Sequence, residues 1–271
     1  MDFLGIGFWY EGFFYEKNYK KEIKNNLAII SEKIRQEKGI IKLINLDIEK
    51  KPTVYIFSPH PDDEILCCAN TIKALRNKKI PVKIIIFTNG DAKDIDNKKS
   101  IEYGKIRKKE SIRALSILDI EVSDIFFLGF PDGNLDELGD EIVSSPFTGK
   151  NKTDKNDYKS DIFYKKSALI QIIKEIFSKN PPKEIYIPSL KDTHNDHKFV
   201  GKIAREIIKK ENLNIPIYQY IIHRNNPIKK DYFDDNKWNL IQIFNSQFHN
   251  SDNNYYNFMR RFAEIPEKFY Q

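Results

Sequence analysis

The sequence predicts an α/β fold: a Rossmann-like, doubly wound, mostly parallel sheet with flanking helices, in a single domain. Three observations carry this. Short runs rich in β-branched and aromatic residues alternate with amphipathic helical stretches. Helical stretches of this length serve as the crossovers that parallel strands need. Two polar clusters directly follow strands, where open α/β sheets hold their ligands.

Residues 1–50 read as an N-terminal arm and helix, and 51–271 as the main domain. The arm, MDFLGIGFWYEGFFYE, is aromatic but carries Asp2, Glu11 and Glu16 and no basic segment, unlike a signal peptide. It reads as an extra strand or arm against the domain or a second subunit, making a homo-oligomer. A peripheral membrane contact is the alternative. Between Asn18 and Lys38, Ile23, Leu27, Ile30 and Ile34 recur at three- and four-residue spacing, which predicts a helix. Strands are then predicted at Val54–Ser58, Val82–Thr88, Asp124–Leu128, Glu184–Pro188 and Ile217–Ile221. The helices between them are Ile65–Asn77, Ile101–Leu118, Lys165–Ser178 and Asp196–Lys210. Near the C-terminus, WNLIQIFNSQF suggests a strand at Leu240–Phe244, followed by a short helix from Asn253 to Phe262. The polar segment Ser144–Asp161 is long for a loop; such loops are usually functional or mobile. A substrate-covering lid is the expectation, an inert surface insertion the alternative.

Composition narrows the function classes. A chain of 271 residues can bury one large α/β core. The net charge of +6 comes from lysines interleaved with Glu, Asp and Asn. There is no Arg-rich stripe and no basic-aromatic alternation, so nucleic acid is not an expected partner. No stretch has the length and purity of a membrane-spanning helix. The only cysteines, Cys67 and Cys68, are adjacent. Pairing them would demand strained geometry, which predicts two small buried residues, a reducing compartment and a cytoplasmic protein.

The chemistry concentrates in SPHPDDEILCC, Ser58–Cys68, at the end of the first core strand. Three consecutive acidic residues there repel one another unless a cation is present. A second cluster, DTHNDHK (Asp192–Lys198), follows the strand IYIPS, so both face one crevice. His60 and Asp63 are three apart on a tight turn and can reach one ion. His194 and His197 are also three apart; with a helix starting at Asp196, one can bind the ion while the other points at substrate. Two His and one Asp suit an open zinc site, with a fourth position left for water. Helix N-capping is the structural alternative for Asp62 and Asp63. His223 lies at the crevice edge, as a substrate contact or a surface residue, and Glu64 has no necessary role.

Here the chain resembles a family. PHPDDE is similar to the signature of the PIG-L/LmbE-like zinc deacetylases. HNDH matches the later H-x-D-H motif, FLGFPDGNL (Phe127–Leu135) the L-G-x-P-D-G segment, and RKKESIRALSILDI (Arg107–Ile120) the R-x-x-E-x-x-x-A-x-x-x-L-G helix, with Asp119 in place of the usual Gly. The resemblance implies a Zn2+-dependent hydrolase that removes the N-acetyl group from an N-acetylglucosamine-type sugar in a glycoconjugate, nucleotide sugar or polysaccharide precursor. It implies His60, Asp63 and His197 as metal ligands and Asp62 as general base acting on metal-activated water. It further implies His194 as oxyanion stabiliser, Asp196 holding the His194 imidazole, and Arg107 and Asp132 near the sugar. Alternatives are a metal amidase of the same fold cutting a larger amide, and a non-catalytic glycan- or nucleotide-binding module. A dinucleotide site is disfavoured, since no G-x-G-x-x-G follows the first strand.

Overall fold

The structure, a computed structural model, describes residues 33, 53–93, 96–223, 233–247, 253–264 and 266–270. The N-terminal arm and the helix expected over Asn18–Lys38 lie outside the described residues, apart from Lys33, which is helical.

Strands β1 (Thr53–Ser58), β2 (Val82–Thr88), β3 (Ile125–Phe130), β4 (Pro182–Pro188) and β5 (Ile217–Tyr220) form one sheet in the order β3-β2-β1-β4-β5. Every pairing is parallel. Strands β1 to β4 are largely buried on both faces, so their residues read as apolar runs and alternate between two cores, while the edge strand β5 is half-buried. Val54 and Ile56 of β1, Ile84 and Ile86 of β2 and Tyr186 of β4 face one core. It is closed by α1 (Asp63–Asn77), α2 (Asn97–Ile117), α5 (Asp235–Ile241) and α6 (Asn253–Arg260). Tyr55, Phe57, Ile85, Phe87 and Ile187 face the other, closed by α3 (Lys166–Lys179) and α4 (Asn195–Lys210).

The five strands and the four central helices lie where the pattern predicts them, to within about a turn. Helix α2 starts four residues before Ile101 because Asp96 caps it, accepting the Lys99 N–H at 3.0 Å. Asp119, where the family has Gly, keeps the left-handed backbone a Gly would adopt, with φ 58°; Asp is one of the few side chains that tolerates it.

Two expectations are corrected. Leu240–Phe244 is not a strand: Asp234 accepts the Lys237 N–H at 3.0 Å and starts α5, which buries Leu240 and Ile241 in its last turn, with Phe244 buried just beyond it. Tertiary burial overrides β propensity here. Ser144–Asp161, expected as a lid or a surface insertion, sets Phe147 beside Gly133 at its start and runs along the sheet edge further on. The Tyr158 N–H donates to Phe127 O on edge strand β3 at 2.8 Å, and Lys108 pairs with Asp157. The loop thus covers an exposed sheet edge, and Lys150–Asn156 line a groove away from the His-rich cluster. Cys67 and Cys68 are the small buried residues expected, at 6% and 0% exposure, but they are joined by a disulfide. The argument for a reducing compartment loses its basis. Among the described residues no helix is long and apolar enough to cross a membrane.

Two buried charges generate predictions. Lys237 is 2% exposed, and its ammonium lies 3.4 Å from Glu267, which also accepts the Asn70 and Thr71 N–H groups of α1. Glu267→Ala leaves a buried ammonium short of its partner and is expected to cost about 3 kcal/mol or more in urea unfolding. Asp91 is 4% exposed, and its Oδ1 has no hydrogen-bond partner. Burial, helped by the Asp132 charge, pushes its pKa up to about 7. Since the folded value exceeds the unfolded one, the wild type loses stability as pH rises from about 4 through 7. Asp91→Asn should therefore gain on the order of 3 kcal/mol relative to wild type at pH 8 and little at pH 4, read by urea unfolding at both values.

Candidate active site

The strand order reverses direction at β1, which pairs with β2 on one side and β4 on the other. The carboxyl ends of β1 and β4 open a crevice there. The β1–α1 turn delivers His60, Asp62 and Asp63. The β4–α4 loop delivers Asp192 and His194, and the first turn of α4 delivers Asp196 and His197. Arg107 comes from α2, Asp132 from the end of β3 and His223 from beyond β5. A cavity of about 190 Å³ is lined by His60, Asp62, Asp63, Arg107, Asp132, His194 and His223. His197 and Asp196 lie behind it, fully buried. All eight residues predicted from the sequence fall in one connected cluster.

The turn is held by a residue the sequence left without a role. Glu64 is fully buried and accepts from Ser58 Oγ at 2.8 Å and from the Asp62 N–H at 3.0 Å. Burial pushes its carboxyl up to about 7. Asp62 itself sits at φ 127°, ψ −32°, a conformation that costs a non-glycine residue about 1–3 kcal/mol. The Ile65 and Leu66 N–H groups of α1 donate to its carbonyl at 2.9 Å. Its side chain does not cap the helix. Instead Oδ2 accepts from Arg107 at 3.1 Å and from Gln247 Nε2 at 2.9 Å. The strained backbone points Asp62 and Asp63 in different directions: Asp63 Oδ2 accepts the His60 N–H at 2.9 Å and meets the imidazoles.

His60 Nδ1, Asp63 Oδ2 and His197 Nε2 form a triangle with sides of 3.1, 3.1 and 3.3 Å. Ligand atoms about 2.1 Å from a tetrahedral zinc are about 3.4 Å apart, so the donor set and spacing fit that ion. Further His and carboxylate triads that share these residues also gather their donor atoms within 4.8 Å. The outer ring nitrogens meet carboxylates, the usual arrangement around metal-binding histidines. His60 Nε2 lies 3.0 Å from Asp196 Oδ2 and 3.2 Å from Asp132 Oδ1, and His197 Nδ1 lies 3.2 Å from Asp192 Oδ2. Burial alone would lower both histidines, but these carboxylates outweigh it: His60 rises well above the usual value and His197 to about 9. The same contacts hold Asp63 well below the carboxylate range against the upward push of burial. The pocket therefore has high affinity for positive charge.

Two expected roles are redistributed. The Asp196 carboxylate does not hold the His194 imidazole. It accepts the Gly133 and Leu135 N–H groups at 2.8 and 2.9 Å and turns to His60, while only its backbone N–H reaches His194 Nδ1, at 3.2 Å. Gly133, at φ 69°, supplies the left-handed turn that aims its N–H. With Nδ1 as acceptor, the proton of neutral His194 is on Nε2. Burial, then the His60 and His197 charges, lower its pKa, so it is a neutral donor. Arg107 is 8% exposed and bonds Pro61 O at 2.7 Å and Gly90 O at 3.2 Å as well as Asp62. It ties two strand-end turns together. Gly90 is required there, since a Cβ would come within 2.9 Å of the guanidinium.

Three contributors were missed. Asp192, within the cluster read for its histidines, accepts the His194, Ile222 and His223 N–H groups at 3.0, 2.8 and 3.2 Å. Glu64 was visible as the third acid of the run but not as a clamp. Gln247 carried no sequence signal. His223 stacks on Phe258 with ring centroids 5.6 Å apart, and burial lowers its pKa to about 4, so it lines the cavity uncharged.

Comparison with known proteins follows the geometry. The sequence profile of the PIG-L family, described as GlcNAc-PI de-N-acetylase, matches residues 55–208. No curated protein gives a significant match. Among solved structures, N,N'-diacetylchitobiose deacetylase from Pyrococcus horikoshii is similar at 18% identity, covering 86% of this chain and 91% of that one, with a TM-score of 0.56. The conserved protein TT1542 from Thermus thermophilus is similar at 20% identity, covering 80% and 93%, with a TM-score of 0.51. At these identities the likeness is one of fold. The profile match spans more than half of the chain and contains all eight residues gathered at the crevice; the chain belongs to the PIG-L family.

Proposed function

We propose that the protein is a zinc-dependent hydrolase that removes the N-acetyl group from an N-acetylglucosamine-type sugar in a glycoconjugate, nucleotide sugar or polysaccharide precursor. The observation that carries this reading is the triangle of His60, Asp63 and His197 donor atoms beside Asp62 in one cavity. Family membership supports it.

In this reading His60, Asp63 and His197 hold the ion. When bound, zinc supplies a water acidic enough to react near pH 7 and a Lewis acid for the acetyl carbonyl. Asp62 is the general base. The Arg107 and Gln247 donors both fall on its Oδ2, and burial pushes its carboxyl up to about 6, with those two residues opposing. A carboxylate of that affinity can take a proton from the attacking water and hand it to the departing amine. His194 donates from Nε2 to the carbonyl oxygen as it gains charge; losing one such donor typically costs roughly 100- to 1000-fold. Asp196 orients His60 rather than His194. Arg107 and Asp132 line the cavity and position Asp62 and His60, with sugar contact as a further part.

The catalytic domain in this proposal is 51–271. Nucleotide and lipid-linked sugar precursors would be met in the cytoplasm. The aromatic arm, by its composition, is the candidate for a homo-oligomer contact or a peripheral membrane contact.

The test is acetate release from a panel of N-acetylglucosamine glycosides, nucleotide sugars and oligosaccharides, with zinc analysis of the same protein. We expect about one zinc per chain, and acetate release abolished by chelator and restored by zinc. Asp63→Ala is expected to lose the metal. Asp62→Asn should keep it and lose roughly 100- to 10,000-fold in rate. A zinc-loaded protein that frees no acetate from any of them would sink the proposal.

A further inference from the structure

We propose that Gln247 is a positioning residue for Asp62, supplied by a segment beyond the family-matched residues 55–208. The proposal rests on the reading of Asp62 as general base.

Gln247 ends a short 3-10 turn, Asn245–Gln247, and is 6% exposed. Its Nε2 donates to Asp62 Oδ2 at 2.9 Å. The turn is fastened one residue earlier. Glu110, 3% exposed on α2, accepts the Ser246 N–H at 2.8 Å and its hydroxyl at 2.6 Å. Arg107 lies one helical turn before Glu110 and donates to the same Asp62 Oδ2 at 3.1 Å. Helix α2 thus acts on Asp62 twice, directly through Arg107 and through the Glu110–Ser246 clasp that carries Gln247.

Two donors on one oxygen do what one cannot. The last torsion of an Asp side chain is broad and soft, so a single contact leaves the carboxylate plane free to rock. Arg107 and Gln247, from different elements, fix that plane and leave Oδ1 to accept from the cavity. A misplacement of about 1 Å at a reacting group can cost roughly 100-fold in rate. An amide also fits where a second cation would not, because it donates without adding charge beside a site that attracts a metal. A purely structural role would need no polar atom, and burying an amide without a partner is unfavourable.

The experiment uses the zinc-loaded full chain. Gln247→Leu is expected to lower kcat for acetate release about 10- to 100-fold, with KM and zinc content within about two-fold of wild type. In an Asp62→Ala background the same change should alter the residual rate less than about two-fold. Gln247→Asn, one methylene shorter but still a donor, should fall between and serves if the Leu variant fails to fold. An unchanged kcat, or an equal loss in both backgrounds, overturns the proposal. A substrate-free arm separates it from the reading on which it rests. In a 1H–15N spectrum the Gln247 side-chain amide pair, identified by its loss in the substituted chain, should shift in Asp62→Ala. A wild type that frees no acetate defeats the functional reading alone. An amide pair that does not move defeats the Gln247 contact whatever the substrate.

Discussion

Burial of like charge is the constraint on which the rest of the structure depends. Asp62, Asp63, Glu64, Asp132, Asp192 and Asp196 are each at most 5% exposed and crowd the ends of β1, β3 and β4. An ionised carboxylate buried without compensation costs several kcal/mol. The fold compensates in three ways. Backbone N–H groups turn inward at Gly133, Leu135, Ile222 and His223. The Arg107 guanidinium is drawn into the core, although arginine is rarely so buried. His60 and His197 are surrounded on both ring edges by acceptors. The position of α2, the left-handed glycines and the strained Asp62 are local consequences of that balance.

The same constraint separates two neighbouring aspartates. Adjacent residues on a regular turn would share an environment and a charge state. At φ 127° the backbone of Asp62 reverses locally, so its carboxylate meets a guanidinium and an amide while that of Asp63 meets two imidazoles. Burial raises the first toward a value suited to proton transfer, and the imidazoles hold the second firmly ionised. Divergent environments for adjacent carboxyls are what the proposed roles of base and metal ligand require. The strain is sustained because Glu64, Ser58, Arg107 and the first turn of α1 all fix the same peptide.

The elements that the sequence made legible are those whose signal is local. Four buried strands declare themselves as apolar runs, and α3 and α4 by their periodic stripe. Leu240–Phe244 misled because a short apolar run has no period of its own; the Asp234 cap and burial of Leu240 and Ile241 made it the end of a helix. Ser144–Asp161 was recognised as unusual, yet its place on the β3 edge depends on Gly129, where any Cβ would strike Asp157.

For the site, the residue types and the two clusters were determined by the sequence alone, since strand ends collect polar residues in any fold of this class. Donor identity and the acidic run follow from neighbours within a few positions, whereas the strand order β3-β2-β1-β4-β5 belongs to the folded sheet. Only the tertiary structure decided which nitrogen of His60 faces which carboxylate, that Asp196 turns to His60 and not to His194, and that Gln247 reaches Asp62 from 185 residues away. Those contacts join segments whose separation along the chain carries no pattern, and their geometry exists only once the sheet has brought β1, β4 and the C-terminal helices together.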